Sequence, residues 1–254
     1  MNALKIFGEN FVNGDCGFTY SSGSATGLYL YDQKPATQWA SVGSNDTTEE
    51  SIAVIFKNWQ GSEVSRTFDR VIILGHNLKT LAVDYWDSGA TAWVEIAATV
   101  LSGLTAANTL IELVTPVSSS RVRIRATTTQ ATNAEKAIGE LKFCQSIITG
   151  SQLWRSDLPR TDDQKSGSYR VGDGGLVFWR EWTKFGASGT VYDVSRTDHD
   201  LLFPCLKTGL FYTVIFWDDF DLTECFEIAL TGAPHHTLNR KTRLYEISLT
   251  MEEH

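Results

Sequence analysis

Apolar residues gather in short runs along the first half of the chain, one about every ten residues. Ile52–Phe56 is a continuous run, and Val71–Leu74 is another that stops at Gly75. Leu81–Trp86 and Trp93–Val100 alternate apolar with polar positions; Leu110–Val114, Arg121–Ala126 and Ile138–Phe143 complete the series. Arg121-Val122-Arg123-Ile124-Arg125 puts three arginines on one face and two apolar side chains on the other, the period-two signature of a half-buried strand. Short strands at this spacing, joined by Ser, Gly, Asn and Asp, predict an antiparallel β-sandwich over residues 1–148. The polar stretch Thr149–Ser168 reads as a linker. From residue 169 the pattern predicts a smaller β-domain ending at residue 254. It holds strands at Leu176–Trp179 and Thr190–Val194, and a hairpin of Phe211–Trp217 with Cys225–Leu230. It closes on Arg243–Glu252. One short helix is expected, capped by Thr197, with Leu201, Leu202, Cys205 and Leu206 on its apolar face and Gly209 at its end. The fold class is therefore mainly β.

Composition narrows the function. With 254 residues and 42% hydrophobic content, including eight Trp, the chain can bury a sizeable core. The net charge of -8 is spread over both halves: 11 basic and 14 acidic residues precede residue 151, and 11 and 16 follow. No Lys/Arg cluster is present, which argues against nucleic acid as a partner. No run reaches the length of a membrane span, and Met1–Glu9 lacks the apolar centre of a signal peptide, so synthesis and folding in a cytoplasm are expected. Cys16, Cys144, Cys205 and Cys225 lie too far apart for a zinc ribbon.

Two segments carry a resemblance. Asp32-Gln33-Lys34-Pro35-Ala36-Thr37-Gln38-Trp39-Ala40-Ser41 and Ala137-Ile138-Gly139-Glu140-Leu141-Lys142-Phe143 resemble the first turn and closing strand of a discoidin-like (factor five/eight type C, galactose-binding-like) sandwich. The resemblance implies a jelly-roll binding or docking module. It also implies a structural calcium held by Asp32, Thr37 and Glu140. Gln33-Lys34-Pro35 replaces the usual Gly-rich acidic turn, and the alternative is that Asp32 and Thr37 bond the turn backbone while Glu140 makes a structural contact. Sugar-binding members present rim aromatics beside polar groups, which here would be Trp59, Tyr85 and Trp86 with His76 and Asn77. Trp39 and Trp93 are expected in the core, Trp86 can equally be a core residue, and Gly75–Leu78 can equally be a plain turn. The resemblance further implies a disulfide near the domain ends, for which Cys16 and Cys144 are placed; a reducing cytoplasm favours two buried thiols instead.

No H-E-x-x-H, G-x-S-x-G or P-loop motif occurs, so no catalytic residues are expected. His235-His236 reads as a pair of solvated loop histidines, His199 as part of a helix N-terminus, and Asp218, Asp219, Asp221 and Glu224 as a hairpin tip. Tyr169–Gly175, Arg240–Arg243 and the alternating acidic ending Leu244–Glu253 resemble tail proteins of tailed bacteriophages. That resemblance implies a distal-tail or baseplate structural protein in a virion, assembled in the host cytoplasm. Its partners would be copies of itself in a ring, the tail tube and the tail hub, with the sandwich facing outward. The alternative reading is a carbohydrate-binding module for host-surface glycans.

Overall fold

In the computed structural model, residues 3–32, 34, 36–147, 152–154, 160–170, 176–208, 211–215, 225–239 and 242–253 are described. Their strands are β1 (Ala3–Phe7), β2 (Gly17–Tyr20), β3 (Trp39–Ala40), β4 (Glu50–Ile55), β5 (Arg66–Leu74), β6 (Thr80–Asp87), β7 (Ala92–Glu95), β8 (Leu101–Ser102), β9 (Thr109–Ser119) and β10 (Arg121–Ala126). They continue with β11 (Ala137–Ile138), β12 (Glu140–Cys144), β13 (Gln152–Trp154), β14 (Arg160–Arg170), β15 (Leu176–Val194), β16 (Phe211–Ile215), β17 (Cys225–Leu230), β18 (His235–Leu238) and β19 (Tyr245–Glu253). The α-helix α1 (Arg196–Thr208) lies between β15 and β16. These residues divide into two units, Asn10–Ser146 and a second made of residues 3–9 with those from Ile147 onward.

The Asn10–Ser146 unit is the expected antiparallel sandwich. One sheet runs β2-β4-β10-β6-β7, with β8 added to β6, and the other runs β12-β5-β9. Alternation sets the faces. Val122 and Ile124 of β10, Ile52 and Val54 of β4, and Leu81 and Val83 of β6 point inward and are buried. They share one core with Val71 and Ile73 of β5, Leu141 and Phe143 of β12, and Ile111 and Leu113 of β9. Phe143 packs edge-on against Phe68 at 4.9 Å and Phe56 at 6.0 Å. Each such buried side chain contributes about 1.5–3 kcal/mol. The run expected at Trp93–Val100 breaks after Glu95 because Ala97–Thr99 forms a 3-10 turn. There the Thr99 hydroxyl donates to the Ile96 carbonyl at 2.8 Å and accepts from the Val83 N–H at 2.8 Å.

On the outer face, Arg121, Arg123 and Arg125 stand in a row, as the period-two pattern predicts. Asp84 of β6, directly opposite Arg123 in the register, is 1% exposed. Its carboxylate accepts from Arg123 Nε at 2.7 Å and from Arg125 Nε and Nη2 at 2.9 and 3.1 Å. A one-residue slip of β10 would turn all three guanidiniums into the core.

The second unit closes on itself. β15 pairs β13, β13 pairs β1, β1 pairs β16, β16 pairs β17, β17 pairs β19, and β19 returns to β15, every contact antiparallel. This is a small closed barrel, a topology that removes sheet edges along its circuit. Val191, Val194, Leu202, Phe203, Leu206, Tyr212, Ile228, Ile247 and Leu249 form its core. The helix is capped two residues before the expected position: Ser195 Oγ accepts from the Asp198 N–H at 3.1 Å, leaving Thr197 inside the first turn. β13 and β14 occupy much of the stretch expected as a linker, and β1 belongs to this barrel rather than to the sandwich. Gly209 and the Asp218–Glu224 hairpin tip lie outside the described residues.

Asp84→Ala is expected to lower unfolding stability by about 3 kcal/mol, because two guanidiniums lose their shared partner. The urea midpoint of the full chain measures this; a change below about 0.5 kcal/mol would show that the ladder does not depend on Asp84.

Candidate functional site

The β4–β5 connection is built to hold one side chain rigidly in water. The Val64 N–H donates to the Phe56 carbonyl at 3.0 Å, and the Asn58 N–H donates to the Ser62 carbonyl at 2.9 Å. Asn58 Oδ1 accepts from the Gln60 and Ser62 N–H groups at 3.1 and 2.9 Å, and Gly61 takes the positive φ of 80° that the turn requires. Trp59 at the tip is 81% exposed. At the base of the loop, Glu63 receives Arg121 in a bidentate pair, Nε at 2.8 Å and Nη2 at 2.9 Å. These bonds hold the Glu63 carboxyl below its usual range.

Arg121 leads onto the outer face of the β2-β4-β10-β6-β7 sheet. Its guanidinium lies 5.6 Å from the Trp86 ring centre, and that of Arg123 lies 4.8 Å from the Trp93 ring centre. Trp86 and Trp93 pack edge to face at 5.4 Å. Trp93, expected in the core, therefore belongs to this face, because its alternation follows Glu95 and not Val94. Beside the cluster runs a groove of about 330 Å³, lined by Thr19, Tyr20, Ser51, Ala53, Trp93 and Arg123 among others. The Tyr20 ring turns to the inner side of the sheet, where it stacks with Phe18 and Trp39 at 6.0 and 6.5 Å, and burial pushes its phenol up to about 12, with Tyr31 adding to the shift. Tyr85, one residue before Trp86, turns to the other side of the sheet. It packs against the core and lines a separate groove of about 490 Å³ beside Leu113 and Val117.

The rim residues read from the sequence do not form one site. β6 starts beside Asn77 and ends at Trp86 and Asp87, so its eight residues put about 25 Å between them. Trp59 and Trp86 share one end of the sandwich with Arg121, and His76 and Asn77 occupy the other. His76 is also 3% exposed and fully engaged: its Nε2 lies 2.8 Å from Thr109 Oγ1, and its Nδ1 accepts from the Leu78 N–H at 3.2 Å. Asn77 donates to the Glu135 carbonyl at 2.8 Å and accepts from the Ala137 N–H at 2.9 Å, tying two loops together. Both side chains hold backbone in place.

The residues of the implied calcium site are already engaged within the protein. Asp32 Oδ2 accepts from the Thr37 hydroxyl at 2.7 Å, and Oδ1 accepts from the Lys34 N–H at 3.0 Å. Glu140 Oε1 lies 2.6 Å from Lys142 Nζ, with the two side chains 3% and 1% exposed. A dication would have to join a carboxylate that already holds a buried ammonium, so this donor set does not fit calcium. Among the described residues no group of three or more His, Cys, Asp or Glu is placed to hold a metal. Cys16 and Cys144 are not joined by a disulfide, and burial pushes the Cys16 thiol up from its usual range.

In the barrel, His199 lies in the first turn of α1, as expected, and is buried there. Its Nε2 lies 2.8 Å from His236 Nδ1, its Nδ1 lies 3.0 Å from Asp200 Oδ1, and Tyr245 stacks on its ring at 3.9 Å. His235 and His236 are both exposed, as expected, but they lie on β18 and not in a loop, and His236 also meets His199. Sequence reasoning missed this pair because 37 residues separate its members.

No family model and no curated protein matches the chain. Solved structures similar to it include CpGH89CBM32-6 from Clostridium perfringens, 16% identical with a TM-score of 0.43, covering 54% of this chain and 100% of that one. Chitosan-binding module 1 of a chitosanase/glucanase from Paenibacillus sp. IK-5 is 19% identical with a TM-score of 0.42, covering 53% and 98%. The family 32 CBM of C. perfringens NanJ, solved with galactose, is 14% identical with a TM-score of 0.41, covering 56% and 99%. Likenesses this distant say nothing about what this chain binds.

Burial holds the His76 imidazole down to about 4, against about 6.5 in the unfolded chain. Below pH ~6.5 the unfolded state takes up a proton that the folded state refuses, so stability falls as pH drops from about 6.5 towards 4, by up to about 3 kcal/mol. Denaturant midpoints measured from pH 7 to 5 are expected to decline in the native chain and to flatten in His76→Gln; equal slopes would contradict this.

Proposed function

We propose that the sandwich is a non-catalytic glycan-binding module whose contact end carries Trp59. The observation behind this reading is a large aromatic ring held almost wholly in water at the tip of a turn that Asn58 closes. An indole face can stack on the C–H face of a sugar, and Gln60 lies next to Trp59 in sequence to meet hydroxyls. Covering about half of a ring of ~200 Å² at ~25 cal/mol per Å² is worth roughly 2–3 kcal/mol. Trp59→Ala is therefore expected to weaken binding to array-identified glycans at least tenfold. Its melting temperature should stay within about 1 °C of the parent, since the ring supports no core. Unchanged binding would remove Trp59 from the contact.

A second reading concerns the barrel, and one observation favours it. Among the described residues, Leu176–Phe185 of β15 pair only with β14, so the β14–β15 hairpin continues as a two-stranded ladder for about 30 Å. A two-stranded ribbon is marginal in water without something to cover it. Self-assembly through this hairpin fits the tail-tip structural reading, in which copies form a ring around a tail tube. Deleting residues 161–185 behind a short Gly-Ser turn is expected to convert an oligomer to a monomer in light scattering. A full-length chain already monomeric at high concentration would contradict this reading and leave the glycan reading standing.

A further inference from the structure

The outer-face groove has a charge pattern that selects among ligands. Its two lining arginines are already spoken for: Arg121 by Glu63 at 2.8 Å, and Arg123 by Asp84 at 2.5 Å. The next guanidinium in the row, Arg125, meets Asp84, Glu49 and Glu95 at 2.9, 3.2 and 2.6 Å. Three guanidiniums thus face four carboxylates, and the row presents N–H donors without net positive charge. The floor is made of Ser51, Ala53 and Ile55 of β4 with Thr19 of β2, and the Trp93 ring stands at its far side. Across the sheet from β2 to β7 the span is about 19 Å, four interstrand spacings. At one corner the Glu63–Arg121 pair joins the groove to the base of the Trp59 loop.

We infer that this groove is an extended subsite for an uncharged oligosaccharide chain. It continues from the sugar stacked on Trp59 and discriminates against uronic-acid, sialylated and sulfated chains. Hydroxyl groups find donors in the outward N–H groups of Arg121 and Arg123 and partners in Ser51 and Thr19. The open Ala53 floor leaves room for a sugar ring. An anionic chain would meet guanidiniums whose charge is already cancelled, together with the excess carboxylate of the row, and would lose its hydration for no ionic return.

The inference rests on the glycan reading, and the experiment separates the two. The full-length chain is screened on an array holding neutral chains and their uronic-acid, sialylated and sulfated counterparts. Neutral hits are then titrated as short and long oligomers. Ala53→Trp, which fills the floor from an outward position on a strand, is expected to weaken long oligomers about tenfold and leave the shortest ones unchanged. Trp59→Ala weakens both. Glu63→Gln releases Arg121 and is expected to raise binding to acidic counterparts at least threefold, with a new dependence on salt. Should Ala53→Trp fail to fold, the Trp93 indole NMR signal of the native chain supplies the readout: it shifts with long neutral oligomers and not with short ones. Preference of the native chain for acidic glycans would overturn the inference. So would long-oligomer binding unaffected in Ala53→Trp, or a Trp93 signal that never moves. Absence of any glycan binding by the native chain would sink the module reading and the groove with it.

Discussion

The buried carboxylate of Asp84 fixes where strand β10 can lie. It sits opposite Arg123 and between two guanidiniums, so only one register keeps both positive charges paired and both Val122 and Ile124 in the core. With β10 central in its sheet, β4 and β6 are placed on either side, and their outward residues become the floor and wall of one face. The same arginine row that stabilises the register lines the groove. Fold and candidate site therefore draw on one set of ion pairs, and the carboxylates that satisfy the arginines also cancel the charge a ligand would meet.

Much of the sandwich was legible in the chain because its strands follow a two-residue period. Arg121–Ala126 announced both its buried and its outward side chains, and Ile52–Phe56, Leu81–Trp86 and Ile138–Phe143 lie within or overlap strands. The pattern was silent on which strands become neighbours. That Trp93 reaches Arg123 across β6, and that Glu63 closes on Arg121 over 58 residues, are consequences of strand order that no local period encodes. The grouping of Trp59 and Trp86 with His76 and Asn77 failed for the same reason, since β5 and β6 each run the full height of the sandwich and carry their two ends far apart. A usable sign did exist: Asn58-Trp59-Gln60-Gly61 is a turn sequence with a large aromatic at its tip.

The barrel was less legible. Its closure depends on β1, from the start of the chain, filling a gap between β13 and β16. A strand separated from its partners by a whole sandwich leaves no signal in the local pattern. The polar composition of residues 149–168 read as linker because β14 carries Asp, Gln, Lys and Ser. That composition is compatible with a strand in a two-stranded ribbon, where hydrophobic alternation is not demanded. The His199–His236 contact, with Asp200 behind it, likewise needed the barrel to bring helix and edge strand together.

The most direct test is a crystal structure of the full chain soaked with its strongest array-selected glycan. Sugar density is expected to stack on Trp59 and run past Arg121 onto the sheet above Ala53. Density confined to the opposite end, beside His76, Asn77 and the Asp32–Thr37 turn, would contradict this.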